Sequence, residues 1–331
     1  MFFHPSFVLF CFFLIFSIIM MVCMNSWFLI WFFIEMNLLS FIPLIMLKKS
    51  KYSIESGLKY FFIQTFSSIL IFIGVLSMFM NFDMYYFLFI SGLSIKLGFV
   101  PFHQWIVNIV EGLTWPLVGI LLTIQKVGPF ILFNYMYINI NEVMNYMVYI
   151  ISLLCAMIGS LGGLFTSSLR KIMVFSSISH NSWMILGVVS SIYIWMIYFF
   201  FYSFILFSVL YILEKFLMNN LSHMFLKLNF FISLSLGISL LSIGGMPPLT
   251  GFIPKFVMIK EFTMNYNIFL LVYLLLGAFI SLFFYARIFV FNFIMLMHKN
   301  MFLSKSNNGA KISLFINAMG LFMIPIVLMI L

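Results

Sequence analysis

The chain has 331 residues, of which 65% are hydrophobic and only 7% charged, with a formal net charge of +9. A soluble domain carries about 25% charged residues, so too little polar sequence remains to build a water-soluble domain of any size. The basic excess sits mostly in short loops between apolar runs, where the positive-inside rule accounts for it, and nucleic acid is not expected as a partner.

A membrane-spanning helix needs about 20 largely apolar residues. Runs of that length recur from end to end and predict about eleven spans, over 5–24, 26–47, 56–78, 84–110, 116–137, 144–164, 169–190, 193–218, 229–263, 266–295 and 313–331. The first follows Met1-Phe-Phe-His-Pro5, which has neither a cationic n-region nor a small-residue cleavage site after it, so it is expected to remain a spanning helix. Cys11, Cys23 and Cys155 lie inside apolar runs without C-x-x-C spacing and read as small hydrophobes, with no disulfide or metal site implied. The expected class is an all-α polytopic membrane protein.

The basic residues orient the spans. Lys48, Lys49 and Lys51 follow the second segment, and Arg170 and Lys171 separate the sixth from the seventh. Lys215 and Lys227 border the eighth-to-ninth loop, and Lys299, Lys305 and Lys311 fill the tenth-to-eleventh. These loops share one side of the membrane with the N-terminus, and the opposite loops hold Asp83, Glu142 and the Lys260/Glu261 pair. The asymmetry predicts an N-terminus on the inner, matrix-like side.

The second segment carries Glu35 near its middle, in Trp31-Phe-Phe-Ile-Glu35-Met-Asn37. The third opens with Glu55 and Lys59, an i,i+4 pair that fits a helix-end surface contact as well as a proton path. The fourth reads Ser94-Ile-Lys96-Leu-Gly98-Phe-Val-Pro101-Phe-His103-Gln-Trp105. Pro101 lacks a backbone donor, and its ring clashes with the carbonyl of Leu97. The fifth holds Lys126 midway, in Ile124-Gln125-Lys126-Val-Gly-Pro129. In the seventh, His180 ends Ser176-Ser177-Ile-Ser179-His180. The ninth reads Gly244-Gly-Met-Pro247-Pro248-Leu-Thr-Gly251-Phe-Ile-Pro254-Lys255, which cannot continue a regular helix. Arg287, in the tenth, reads as a helix-end anchor.

Backbone groups freed at membrane depth are tolerated only where protein buries them or water reaches them. The fourth and ninth segments cross in opposite directions. Paired breaks of this kind point to an inverted repeat with its ion sites at the breaks. One repeat is expected over about 1–140 and the other over about 141–297, five helices each, within a single membrane domain, 1–331. An extra C-terminal helix is expected at about 312–331.

Each ionisable residue at helix centre costs about 2.5–3.5 kcal/mol on insertion scales. Glu35, Lys96, Lys126 and Lys255 unpaired would together cost roughly 10 kcal/mol, comparable to the stability of an ordinary domain. They are therefore expected to face the interior, water or one another, with Glu35 as the partner of Lys96. Desolvation disfavours a lysine's charged form and an approaching carboxylate favours it, so a movable Glu–Lys contact can make a lysine hold or release a proton. His103 and His180 are candidates to relay protons near neutral pH, or to sit as satisfied hydrogen-bonding groups.

Several stretches carry a resemblance. They are Asn25-Ser-Trp, Glu35-Met-Asn-Leu-Leu-Ser-Phe-Ile-Pro43, Lys96-Leu-Gly, Pro101-Phe-His103-Gln-Trp105, Glu111-Gly-Leu-Thr-Trp115, Gln125-Lys126, Gly159-Ser-Leu-Gly-Gly163, Ser168-Leu-Arg-Lys171, Phe175-Ser-Ser-Ile-Ser-His180 and Gly244 to Phe256. Together they resemble the chain 2 family of mitochondrial NADH:ubiquinone oxidoreductase (respiratory complex I), in its insect form, over nearly the whole chain. The resemblance implies an antiporter-like, proton-pumping membrane-arm subunit, shortened by three N-terminal helices relative to bacterial counterparts. It maps the family's proton-path positions onto Glu35, Lys96, Lys126 and Lys255. It implies other membrane-arm subunits and membrane lipids as partners. NADH, FMN, iron–sulfur clusters and ubiquinone are implied in other subunits, with no cofactor in this chain. The chain agrees in having no dinucleotide-binding G-x-G-x-x-G fingerprint and no cysteine cluster.

The heavy use of Phe (47) and Met (27), against a few alanines, reads as AT-rich coding, with the Met excess fitting an animal mitochondrial code. A stand-alone cation/proton antiporter would share this fold and these lysines, but the shortened N-terminus and the coding bias argue against it. A purely scaffolding subunit is opposed by the cost of the mid-membrane charges.

Overall fold

Helices close their own backbone hydrogen bonds, the only open-ended solution for a chain in lipid. In the computed structural model, which describes residues 5–80, 85–137, 142–221, 230–264, 267–297 and 308–320, the elements are helices, and the sole β feature is an isolated bridge between Ser168 and Asn220. The helices fall into two units, Met1–Ile151 and Ser152–Leu331.

The first unit contains α1 (Pro5–Cys23), α2 (Trp27–Met46), α3 (Lys51–Phe79), α4 (Tyr85–Leu97), α5 (Gln104–Ile109), α6 (Trp115–Leu122) and α7 (Ile124–Tyr137). Helix α8 (Glu142–Phe165) carries the chain into the second unit. There follow α9 (Leu169–Ser190), α10 (Ile192–Lys215), α11 (Phe230–Gly244), α12 (Phe252–Met264), α13 (Ile268–Met297) and α14 (Asn308–Ala318). Eight helices among the described residues are long and apolar enough to cross a membrane, counting α6 and α7 as one span. These match the predicted segments other than the fourth, ninth and eleventh. The fourth and ninth are each built as two shorter helices either side of a break, and 321–331 of the eleventh lies outside the described residues. So do Asp83, Lys227, Lys299 and Lys305 of the predicted loops.

Local chemistry explains two differences from the predicted boundaries. The third helix begins at Lys51, not 56, because Ser50 and Ser53 cap its first turn reciprocally; the Ser50 hydroxyl accepts from the Ser53 N–H at 3.1 Å. The fifth segment bends at Thr123 (φ −120°, ψ −78°), whose hydroxyl donates back to the Gly119 carbonyl at 2.7 Å. Such back-bonding to the i−4 carbonyl bends helices, and this one re-aims the chain three residues before Lys126.

Burial runs opposite to a soluble protein. Helix α1 is among the most apolar and keeps most of its surface exposed, whereas α9, with its serines, His180 and Asn181, is buried almost throughout. Lipid is as apolar as leucine, so small and polar residues gather at helix contacts. At Gly159 a side chain would strike the backbone of Ser179, so α8 and α9 meet there by close approach.

Candidate proton-handling sites

In the first unit the break after α4 is held by side chains. Gly98 takes the left-handed conformation (φ +65°), which glycine adopts without penalty. The carbonyl of Ile95 accepts from the Trp105 indole N–H at 2.9 Å, and that of Lys96 from the Gln64 amide at 3.3 Å. The break is thereby fixed rather than frayed, and it holds Lys96 at its rim.

The Lys96 ammonium donates to Glu35 Oε1 at 2.7 Å, with the lysine side chain 3% exposed and the glutamate 22%. Glu35 comes from α2 and Lys96 from α4, so the pair joins two helices. Beside it, the Gln125 amide donates to Asn37 Oδ1 at 2.8 Å, and the Tyr60 hydroxyl donates to Gln125 Oε1 at 3.1 Å. Asn37, Tyr60, Gln64, Lys96, Gln125 and Lys126 line one cavity of about 20 Å³. A water molecule needs at least about 10–15 Å³ and two to four polar partners. The cavity that both lysines line therefore has room for a water molecule.

In the second unit Lys255, also buried, donates to the Gly244 carbonyl at 2.6 Å. That carbonyl ends α11, where the helix dipole concentrates negative charge. Gly245 is again left-handed (φ +82°), and a side chain there would lie 2.7–3.0 Å from the end of Lys255. No carboxylate among the described residues lies within ion-pair distance of Lys255. His180 accepts or donates at Nδ1 to the Tyr198 hydroxyl at 2.8 Å. It lines two cavities of about 10 Å³, one shared with Lys255 and Ser281, the other with Tyr202, Ser242 and Gly251.

The remaining candidates lie elsewhere. Lys59 pairs with Glu55 at 2.6 Å on an exposed face, 49% and 60% exposed. His103 stands at the start of α5, half-buried at the first break. Arg287 donates to the Leu164 carbonyl at 3.2 Å, satisfying the end of α8. Sequence reasoning did not single out Asn37, Tyr60, Gln64 or Gln125; the available signal was an uncharged polar residue at mid-span, as costly to strand in lipid as it is easy to overlook.

Helical spans, two helices interrupted beside buried lysines, and an inter-helix Lys–Glu pair define an antiporter-like membrane protein. The sequence family described as NADH:quinone oxidoreductase/Mrp antiporter, TM, matches residues 24–83 and 79–281. The protein named NADH-ubiquinone oxidoreductase chain 2 from Anopheles gambiae is 38% identical, across 95% of each chain, and its namesake from Aedes aegypti is 36% identical, across 93% of each. The chain belongs to this family, in its NADH-ubiquinone oxidoreductase chain 2 branch. Among solved structures, a chain of respiratory complex I from Thermus thermophilus has a TM-score of 0.78 at 17% identity, covering 96% of this chain and 78% of that one. The Mrp complex from Dietzia sp. gives a TM-score of 0.69 at 15% identity, over 88% of this chain and 59% of that one. At these identities the structural likeness speaks for the fold.

Proposed function

We propose that this chain is a proton-translocating core subunit of the membrane arm of respiratory complex I, in the mitochondrial inner membrane, with its N-terminus on the matrix side. The observation that carries the reading is the part-buried Lys96–Glu35 pair, 2.7 Å apart, which joins the broken helix to α2. A lysine shielded from water and balanced by one carboxylate is a two-position switch for a proton. The insect relatives' shared name supports the assembly, and the animal sources of those relatives support the organelle.

On this reading the subunit works within an NADH:ubiquinone reductase without housing its redox chemistry. NADH, FMN, the iron–sulfur clusters and ubiquinone belong to other subunits. Redox steps there shift the Glu35–Lys96 contact, and the proton is handed on by way of Lys126 and Lys255, with His180 and His103 as relays. Residues 1–140 and 141–297 form two inverted repeats, one for each break. Lys59 stands outside the path.

The test is a mild-detergent native gel of source membranes, stained for NADH dehydrogenase activity and probed for this chain. Migration in a large, activity-positive band is expected. Migration alone, or in a small inactive oligomer, overturns the reading in favour of a stand-alone cation/proton antiporter.

A further inference from the structure

The C-terminal helix falls outside the repeats assigned to transport, yet its residues are bonded into the second break. Helix α14 packs along α10 and α11. Asn317, near its end, is completely buried. Its backbone carbonyl accepts from the Thr250 N–H at 3.2 Å, just ahead of α12. Its side-chain oxygen lies 2.6 Å from the hydroxyl of Ser242, in the last turn of α11. That hydroxyl has one proton and a second acceptor in reach, the Ser239 carbonyl at 2.7 Å. The Asn317 amide donates to Ser208 of α10 at 3.3 Å and to the Ser313 carbonyl at 2.7 Å.

One residue thus touches both lips of the break and ties them to α10. The approach of the C-terminal segment is as close as backbone allows. A side chain at Gly320 would meet backbone atoms of Leu249 and Thr250 at 2.4–2.5 Å, well inside contact distance. The break in turn sets where Lys255 ends. Its ammonium reaches the Gly244 carbonyl across the interruption between Gly244 and Phe252. The side-chain oxygen and amide of Asn317 are fully engaged, and a satisfied buried polar contact of this kind holds one geometry.

We propose that Asn317 is a positioning residue for Lys255, clasping the two halves of the broken helix so that the ammonium stays against the carbonyl end of α11. The proposal rests on the transport reading above. It assigns the C-terminal helix a part in proton transfer that its place outside the repeats does not suggest.

The test is made in the assembled complex with Asn317→Leu and Asn317→Asp, alone and combined with Lys255→Ala. Protons moved per NADH oxidised, the KM for NADH and the amount of complex on a native gel are measured together. Asn317→Leu is expected to lower the proton yield as far as Lys255→Ala does, at unchanged KM, and to add nothing on the Lys255→Ala background. Asn317→Asp, which keeps the acceptor and loses both donors, is expected to give a partial loss. An unchanged yield in Asn317→Leu where Lys255→Ala lowers it overturns the positioning role alone. So do additive losses, or a fall in assembled complex with the yield per complex intact in both variants. An unchanged yield in Lys255→Ala overturns the transport reading at Lys255, and the positioning role with it.

Discussion

Replacing Glu35 by glutamine keeps the shape of the pair and removes its negative charge. The Lys96 ammonium, 3% exposed and 2.7 Å from the carboxylate, then has no counter-charge at that contact. Stranding one member of a buried ion pair costs about 3–5 kcal/mol. Releasing the proton of a lysine of ordinary pKa at pH 7 costs about 4–5 kcal/mol, at 1.36 kcal/mol for each pH unit. The two penalties are comparable in size, so the substitution disturbs proton holding at the pair without the fold being forced open. The expected outcome in sealed membrane vesicles is a lowered number of protons moved per NADH, with the complex assembled. A second variant separates electrostatics from folding. Glu35→Gln combined with Lys96→Met removes both charges, which is often close to neutral for stability. It should assemble at least as well as Glu35→Gln alone and still pump poorly. Undiminished pumping by assembled Glu35→Gln complex would refute the reasoning, and loss of assembly in both variants would recast the pair as structural.

Lys126→Ala removes the second lysine on the first cavity and should lower proton yield in assembled complex; normal pumping in that variant rejects the channel reading. Lys59→Ala should change neither thermal stability nor yield measurably, because an exposed i,i+4 pair contributes about 0.3–0.5 kcal/mol; a large loss would place Lys59 on the path after all. Gly245→Ala forces a side chain into the left-handed region at about 1–2 kcal/mol and against the end of Lys255. It should reduce pumping though no ionisable group is altered, and wild-type yield in the assembled variant would show that the lysine's placement does not matter.

Periodicity and proline placement made the broken helices legible, since Pro101 and the Pro247-Pro248 pair each announce a backbone that cannot run on. The pairing of Glu35 with Lys96 was legible for a different reason: a lone mid-membrane carboxylate beside a lysine-bearing break has few affordable partners. What holds those breaks was not. Trp105 and Gln64 satisfy carbonyls in the fourth segment from ten and 32 residues away, and nothing in their spacing marks them. The bend at Thr123 was missed because it arises from a hydroxyl's choice of acceptor, not from proline or glycine. Asn317 was missed more completely, since its partners Ser208, Ser242 and Thr250 are separated from it by much of the chain.

The two buried lysines answer to different partners, and the difference fixes what each can do. The partner of Lys96 is a full charge on another helix, so their attraction depends on how α2 and α4 stand. At an effective dielectric constant of about 20, two unit charges 2.7 Å apart attract by roughly 6 kcal/mol, and doubling the distance gives back about half. The roughly 3 kcal/mol so released is close to the 2.3 kcal/mol needed to move one charge across 100 mV. A helix displacement of under 3 Å is therefore enough to exchange mechanical work for a proton step against a membrane potential. Lys255 is held instead by a carbonyl of its own broken helix, where the dipole supplies about half a charge. That partner cannot withdraw unless the break itself unwinds. On the proposed transport reading, the first site is the one a helix movement can switch, while the second keeps its lysine against a fixed partner.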